Sequence, residues 1–130
     1  MSMRVATVTL VVPDYDAGIA FYVGKLGFAL VADTDMGGGK RWVVVAPADG
    51  TGARLLLAKA DGGRQAAAIG NQTGGRVGFF LETDDFARDF AAFSANGVVF
   101  REAPRHEAYG SVAVFEDPFG NKWDLIEPKA

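Results

Sequence analysis

Few side chains in this chain can do chemistry, and several of them fall in one short stretch. Arg105-His106-Glu107-Ala108-Tyr109-Gly110 contains the only histidine of the sequence. Beside it stand a carboxylate and a phenol. Glu107 can serve as a base, and Tyr109 as a general acid or a hydrogen-bond donor at the rim of a cavity. Arg105 and His106 add polar groups suited to holding a ligand. A second carboxylate, Asp124, sits inside Trp123-Asp124-Leu125. Glu107 and Asp124 could share the roles of acid and base, or join His106 in a metal site. Plainer readings stand beside these: a lone histidine is mostly a surface or rim residue, and a lone tyrosine mostly packs amphipathically. Other chemistries are closed. The chain has no cysteine, which removes disulfides, thiolate metal sites and cysteine nucleophiles. One histidine gives no Ser-His-Asp order to read. Gly74-Gly75-Arg76 lacks the Lys-Ser/Thr pair and the following helix of a phosphate loop.

The elements that must position these residues come in two copies. Thr9-Leu10-Val11-Val12-Pro13-Asp14 opens a strand-to-helix passage that closes at Leu26-Gly27-Phe28, and Phe79-Phe80-Leu81-Glu82-Thr83-Asp84 opens another that closes at Asn96-Gly97-Val98. The copies align without a gap, Asp14 with Asp84, Ala17 with Ala87 and Gly27 with Gly97, which marks a repeated supersecondary unit. The first half predicts a strand over 4–12, a helix capped by Asp14 and running to about Lys25, and strands over 28–33, 41–46 and 53–60. A helical turn is expected over 65–69. In the second half the helix over 85–95 places Phe86, Phe90 and Phe93 on one stripe, and strands are expected near 98–100, over 111–115 and over 123–127. Each half therefore reads β-α-β-β-β. The organisation is one domain over 1–130, with module one at 1–61, a linker at 62–72 and module two at 73–130.

With 130 residues, half of them apolar, and a net charge of -3, the chain is long enough for a hydrophobic core and offers no electrostatic case for nucleic acid or an anionic membrane. The N-terminus runs straight into a strand pattern with no signal-peptide core, and no apolar segment is long enough to span a bilayer. A cytoplasmic location is the expectation.

The chain resembles the vicinal oxygen chelate superfamily, which includes glyoxalase I, bleomycin-resistance proteins, fosfomycin-resistance enzymes and extradiol dioxygenases. The resemblance rests on Val12-Pro13-Asp14 leading into Phe21-Tyr22 and Leu26-Gly27-Phe28, and more specifically on Glu116-Asp117-Pro118-Phe119-Gly120-Asn121-Lys122-Trp123-Asp124-Leu125. It implies an α+β fold of two βαβββ modules in pseudo-twofold arrangement, with mixed sheets curled around a shared cavity. A homodimer is also implied, since such sheets leave edges that a second chain covers. The metal-dependent members of the superfamily hold a divalent ion with histidines and glutamates on inward-facing strands. Carried over one at a time, those positions fall near Thr7, Leu56 and Gly78 and on Asp124, and only Asp124 is a strong donor. No metal and no other cofactor is expected. If these four positions face inward, strand alternation turns Val5, Thr9, Arg54, Ala58, Arg76, Phe80, Lys122 and Ile126 the same way. Arg54 and Arg76 then suit a carboxylate or phosphate. Arg76 could instead form a salt bridge with Asp124 or Glu82. Trp42 is read as packing in the core or at a dimer interface, with stacking on a flat ligand as the alternative. Trp123 is expected under a helix.

Three functions stay open. One is metal-independent binding of a small, partly apolar anion by Thr7, Arg54, Arg76, Phe80, Arg105, His106 and Asp124. Another is a lyase, isomerase or dioxygenase-like enzyme with a rearranged site, drawing on Asp124, Glu107 and Tyr109. The last is a dimeric scaffold whose cavity is vestigial.

Overall fold

The computed structural model describes residues 2–129. They form two compact units that meet in the chain between residues 69 and 70, so the division falls inside the expected linker. Each unit follows a βαβββ plan, the first with a short helix added at its end and the second with one strand in two fragments, and each contains one open mixed sheet.

In the first unit, β1 (Thr7–Val12) leads to α1 (Tyr15–Tyr22), followed by β2 (Ala29–Gly37), β3 (Lys40–Ala46) and β4 (Arg54–Lys59). A short helix, α2 (Gly63–Ala68), ends the unit. The sheet order is β1-β4-β3-β2, with β1 parallel to β4 and the other pairs antiparallel. The Asp14 carboxylate accepts from the Ala17 amide at 2.8 Å and caps α1. One sheet face packs on this helix. Leu10, Val12, Val43, Val45 and Leu57 are fully buried there. Gly18 permits the approach: a Cβ at that position would lie 2.9 Å from Leu57 Cδ1. β1 starts three residues later than expected, at Thr7, and α1 stops at Tyr22 instead of near Lys25. β2 runs on to Gly37, beyond the expected Asp33.

In the second unit, β5 (Phe79–Glu82) leads to α3 (Phe86–Ala95), then β6 (Val99–Phe100), β7 (Arg105–Glu107), β8 (Gly110–Glu116) and β9 (Lys122–Pro128). The path is β5-β9-β8-β6, with β7 also on β8 and β5 parallel to β9. Where the first unit has the single strand β2, this unit has two fragments interrupted at 101–104, a segment that contains Pro104. The helix-side face is aromatic. Phe115 and Trp123 stack at 5.8 Å, Phe79 stacks on Trp123 at 4.5 Å, and Phe93 meets Phe115 edge-on. Trp123 therefore lies where expected, on the helix side and 4% exposed.

The repeat carries a one-residue correction. Asp85, not Asp84, caps α3 by accepting from the Arg88 amide at 3.0 Å. Asp14 and Ala17 thus correspond to Asp85 and Arg88, while Gly27 still corresponds to Gly97, each with positive φ. The first unit holds one more residue between cap and glycine, so the alignment has a gap.

Candidate functional site

Register decides which residues share the sheet face away from the helix. In the first unit Thr7 pairs with Arg54 and Thr9 with Leu56, so these four lie on that open face. Trp42 shares it through β3 and is 46% exposed, which corrects the reading of Trp42 as core. Arg54 is exposed and has no side-chain partner among the described residues.

The ladder between β3 and β4 runs only from Val43↔Leu57 to Val45↔Leu55, after which the strands part. A cleft of about 560 Å³ opens at the split, lined by Tyr15, Arg41, Trp42, Leu56, Ala58 and Gln65 among others. Tyr15 wedges it: its hydroxyl accepts from the Arg41 backbone amide at 3.2 Å. The Arg41 guanidinium lies 5.2 Å from the Tyr15 ring centroid and bridges Asp16 at 2.9 Å and Asp33 at 2.8 Å. Hydrogen bonding to Asp33 and then Asp16 raises the Arg41 pKa, and the same bond from Arg41 lowers that of Asp33.

In the second unit Phe80 pairs with Asp124, and Asp124 with Val114. Phe79 faces the core, so Phe80 faces outward and is 65% exposed. Asp124 projects from the same face. Its Oδ1 is shielded from solvent and has no hydrogen-bond partner among the described residues. Burial pushes the Asp124 carboxyl up, Arg105 opposes this, and Glu102 adds to it. Arg105 reaches the same face through its pairing with Val112, which pairs in turn with Ile126. The Arg105 guanidinium is held by Glu102 at 2.7 Å, with Glu107 at 3.6 Å and the Tyr109 hydroxyl at 3.5 Å. Arg76 precedes β5, is exposed, and forms no ion pair among the described residues, so the alternative of a salt bridge to Asp124 or Glu82 is not realised.

His106 goes the other way. It pairs with Ser111 opposite Glu127, on the α3 side, where Glu127 accepts from the Phe86 amide at 2.7 Å. Its Nδ1 lies 2.9 Å from Ser111 Oγ. His106, Glu107 and Asp124 therefore do not converge as a rearranged metal site, because neighbouring residues on a strand point to opposite faces. Among the described residues no three histidine, cysteine or acidic side chains cluster to hold an ion. The residues at the four carried-over positions do not fit a divalent metal either. Thr7 offers a weak neutral oxygen beside the cationic Arg54, Leu56 and Gly78 offer no side-chain donor, and Asp124 remains as one carboxylate. Sequence reasoning missed Glu102, whose carboxylate holds Arg105; the i,i+3 spacing of opposite charges was the available signal.

A stability consequence follows from Asp124. A carboxyl whose folded pKa is raised contributes stability below its unfolded pKa and loses it as pH rises through the folded value. At neutral pH the charge is thus a burden on the fold. Asp124→Leu is expected to stabilise the protein by about 1 kcal/mol at pH 7, with the gain shrinking as the wild-type carboxyl protonates in acid. Paired thermal melts across that range check this; a neutral-pH loss of stability would contradict it.

The two open sheets and three helices place the chain among proteins of glyoxalase-like fold. UcmS2 matches it with a TM-score of 0.83 and 30% identity, over 97% of this chain and 98% of UcmS2. TnmS3, an antibiotic binding protein from Streptomyces sp. CB03234, matches with a TM-score of 0.78 and 31% identity, over 98% of each chain. A protein of Shewanella frigidimarina is 49% identical over 128 residues, 98% of this chain and 95% of its own length. The chain belongs to the Glyoxalase/Bleomycin resistance protein/Dioxygenase superfamily, whose profile matches residues 4–125. No helix among the described residues is long and apolar enough to cross a membrane.

Proposed function

We propose that this protein binds a small, partly apolar anion without a metal, in the cytoplasm, and catalyses no metal-dependent reaction. The observation that carries the reading is the donor set: the fold is retained while Thr7, Leu56 and Gly78 stand where metal ligands would be. The similarity to TnmS3, an antibiotic binding protein, supports small-molecule binding as the role. Arg76, exposed and in no ion pair among the described residues, supplies positive charge, and Phe80 supplies an apolar surface. Arg105 is the weaker anchor, since Glu102 already holds it. An apolar surface with few polar anchors is what small-ligand sites present.

Phenylacetate is a suitable probe. It is expected to bind chelator-treated protein, and added zinc or manganese should leave its affinity unchanged. Arg76→Ala is expected to weaken that binding by about 1.5 kcal/mol, the scale of a charged hydrogen bond, with little change in melting temperature. Calorimetric titration checks both. A requirement for metal would overturn the reading, and an unchanged Kd in Arg76→Ala would remove Arg76 from the site. The exposed Leu30 and Val31 also support a homodimer, which sedimentation showing only monomer at micromolar concentration would refute.

A further inference from the structure

We infer that the cleft at the β3–β4 split is a separate binding site, for a flat aromatic carboxylate: its ring lies on the Trp42 indole, and its carboxylate accepts from the Lys59 amide and the lysine side chains beside it. The inference goes beyond the small-anion reading, whose anchors Arg76 and Phe80 belong to the other unit. At about 560 Å³ the cleft has the size of a small-molecule site. Leu56 and Ala58 lie two apart on β4 and share the open face with Trp42, which gives the cleft an apolar wall. Trp42 is 46% exposed, so its indole is open to a stacking partner.

The split also leaves a backbone donor over. Beyond Val43↔Leu57 the register would pair Arg41 with Lys59, but the strands have parted. The Arg41 amide goes to the Tyr15 hydroxyl instead. The Ala60 amide bonds to the Val12 carbonyl on β1, so alternation turns the Lys59 amide the opposite way, toward the gap. There it has no ladder acceptor among the described residues. Gln65, also in the lining, is fixed by accepting from the Asp61 amide at 2.9 Å, and its own NH2 group remains to donate. Charge then selects a ligand that only accepts. Lys40 and Lys59 line the cleft, are exposed, and form no ion pair among the described residues. Arg41 is already held by Asp16 and Asp33, and Asp61 is the only acid in the described lining. A carboxylate accepts from an amide and an ammonium at once, whereas a ligand ammonium would be repelled by the lysines.

The test titrates the whole chain with 2-naphthoate, with the neutral 2-naphthamide of the same shape, and with cyclohexanecarboxylate, which keeps the charge but lacks the ring. The chain has two tryptophans, so its proton–nitrogen spectrum carries two indole N–H peaks. Loss of one in Trp42→Phe, or the faster solvent exchange of the exposed indole, identifies that of Trp42. Naphthoate is expected to shift the Trp42 peak and leave that of Trp123, 4% exposed, in place. Affinities read from that shift should be about tenfold weaker for naphthamide and for cyclohexanecarboxylate. The double variant Lys40→Ala/Lys59→Ala alters only exposed side chains in no ion pair, and should bring naphthoate and naphthamide close to parity. A Trp42 peak that stays in place at saturating naphthoate overturns the inference. So does equal affinity of wild type for naphthoate and either analogue, or an undiminished preference in the double variant. Phenylacetate binding and its weakening in Arg76→Ala decide the small-anion reading separately, so each can fail without the other.

Discussion

Replacing Asp117 with alanine is expected to destabilise the protein by about 3–5 kcal/mol, because it strips the acceptor from several hydrogen bonds at once. Asp117 is 4% exposed and Asn121 is 7% exposed. One Asp117 oxygen accepts from the Phe119 and Asn121 amides at 2.9 and 2.8 Å, and the other accepts from the Asn121 side-chain amide at 2.6 Å. The Asp117 amide closes the turn onto the Asn121 carbonyl at 2.9 Å. Alanine leaves these donors without a carboxylate, two of them on buried Asn121. Asp117→Asn keeps one carbonyl oxygen and should lose less. Urea unfolding monitored by circular dichroism reads both; a loss below about 1 kcal/mol for the alanine variant would show that the turn does not depend on this carboxylate. The effect also reaches binding. The turn joins β8 to β9 and sets the register Glu116↔Lys122 and Val114↔Asp124. A slip of one residue would bring Trp123 or Leu125 to the open face in place of Asp124.

Gly70→Ala is expected to be nearly as damaging, at about 3 kcal/mol, for a steric reason. Gly70 has φ +70, and a Cβ there would lie 2.1 Å from the Phe119 backbone oxygen. A left-handed conformation strains alanine, and the contact is with backbone that cannot rotate away. Gly70 packs against the same turn that Asp117 holds. The double variant should therefore lose less than the sum of the two single losses, since either change alone already loosens that turn. Additive losses in a double-mutant cycle would show that loop and turn act independently.

Much of the fold was legible because local signals agreed with one another. Asp14 precedes an apolar run, Gly27 and Gly97 follow helices, and the Phe86, Phe90 and Phe93 stripe has helical spacing; all are readable without tertiary knowledge. The slip in the repeat was not legible because Asp84 and Asp85 are identical neighbours, and only the bond to the Arg88 amide tells which one caps. Alternation put Asp124 with Phe80 on one face of their sheet, and Leu56 with Arg54 on one face of theirs, because each lies in a strand of four or more residues. It gave no facing for His106, read as a surface or rim residue and exposed in the structure. β7 is three residues long and follows an interruption, so its facing is fixed by pairing with β8, which the order of residues alone does not reveal. The orphaned Asp124 oxygen was out of reach for the same reason: whether a carboxylate finds a donor depends on residues distant in the chain.

The broken strand of the second unit bears on how this protein behaves at high concentration. A growing aggregate recruits chains by adding a strand to an uncovered edge, which needs several consecutive backbone groups in line. β6 and β7, at two and three residues with Pro104 between them, offer no such run. β2 offers nine residues, with Leu30 and Val31 each 43% exposed near its start. Self-templating along these edges therefore begins at β2 rather than at β6 or β7. A single lysine placed at Leu30 or Val31 is expected to suppress self-templating at β2 and to weaken the proposed homodimer together, without touching the face that carries Asp124.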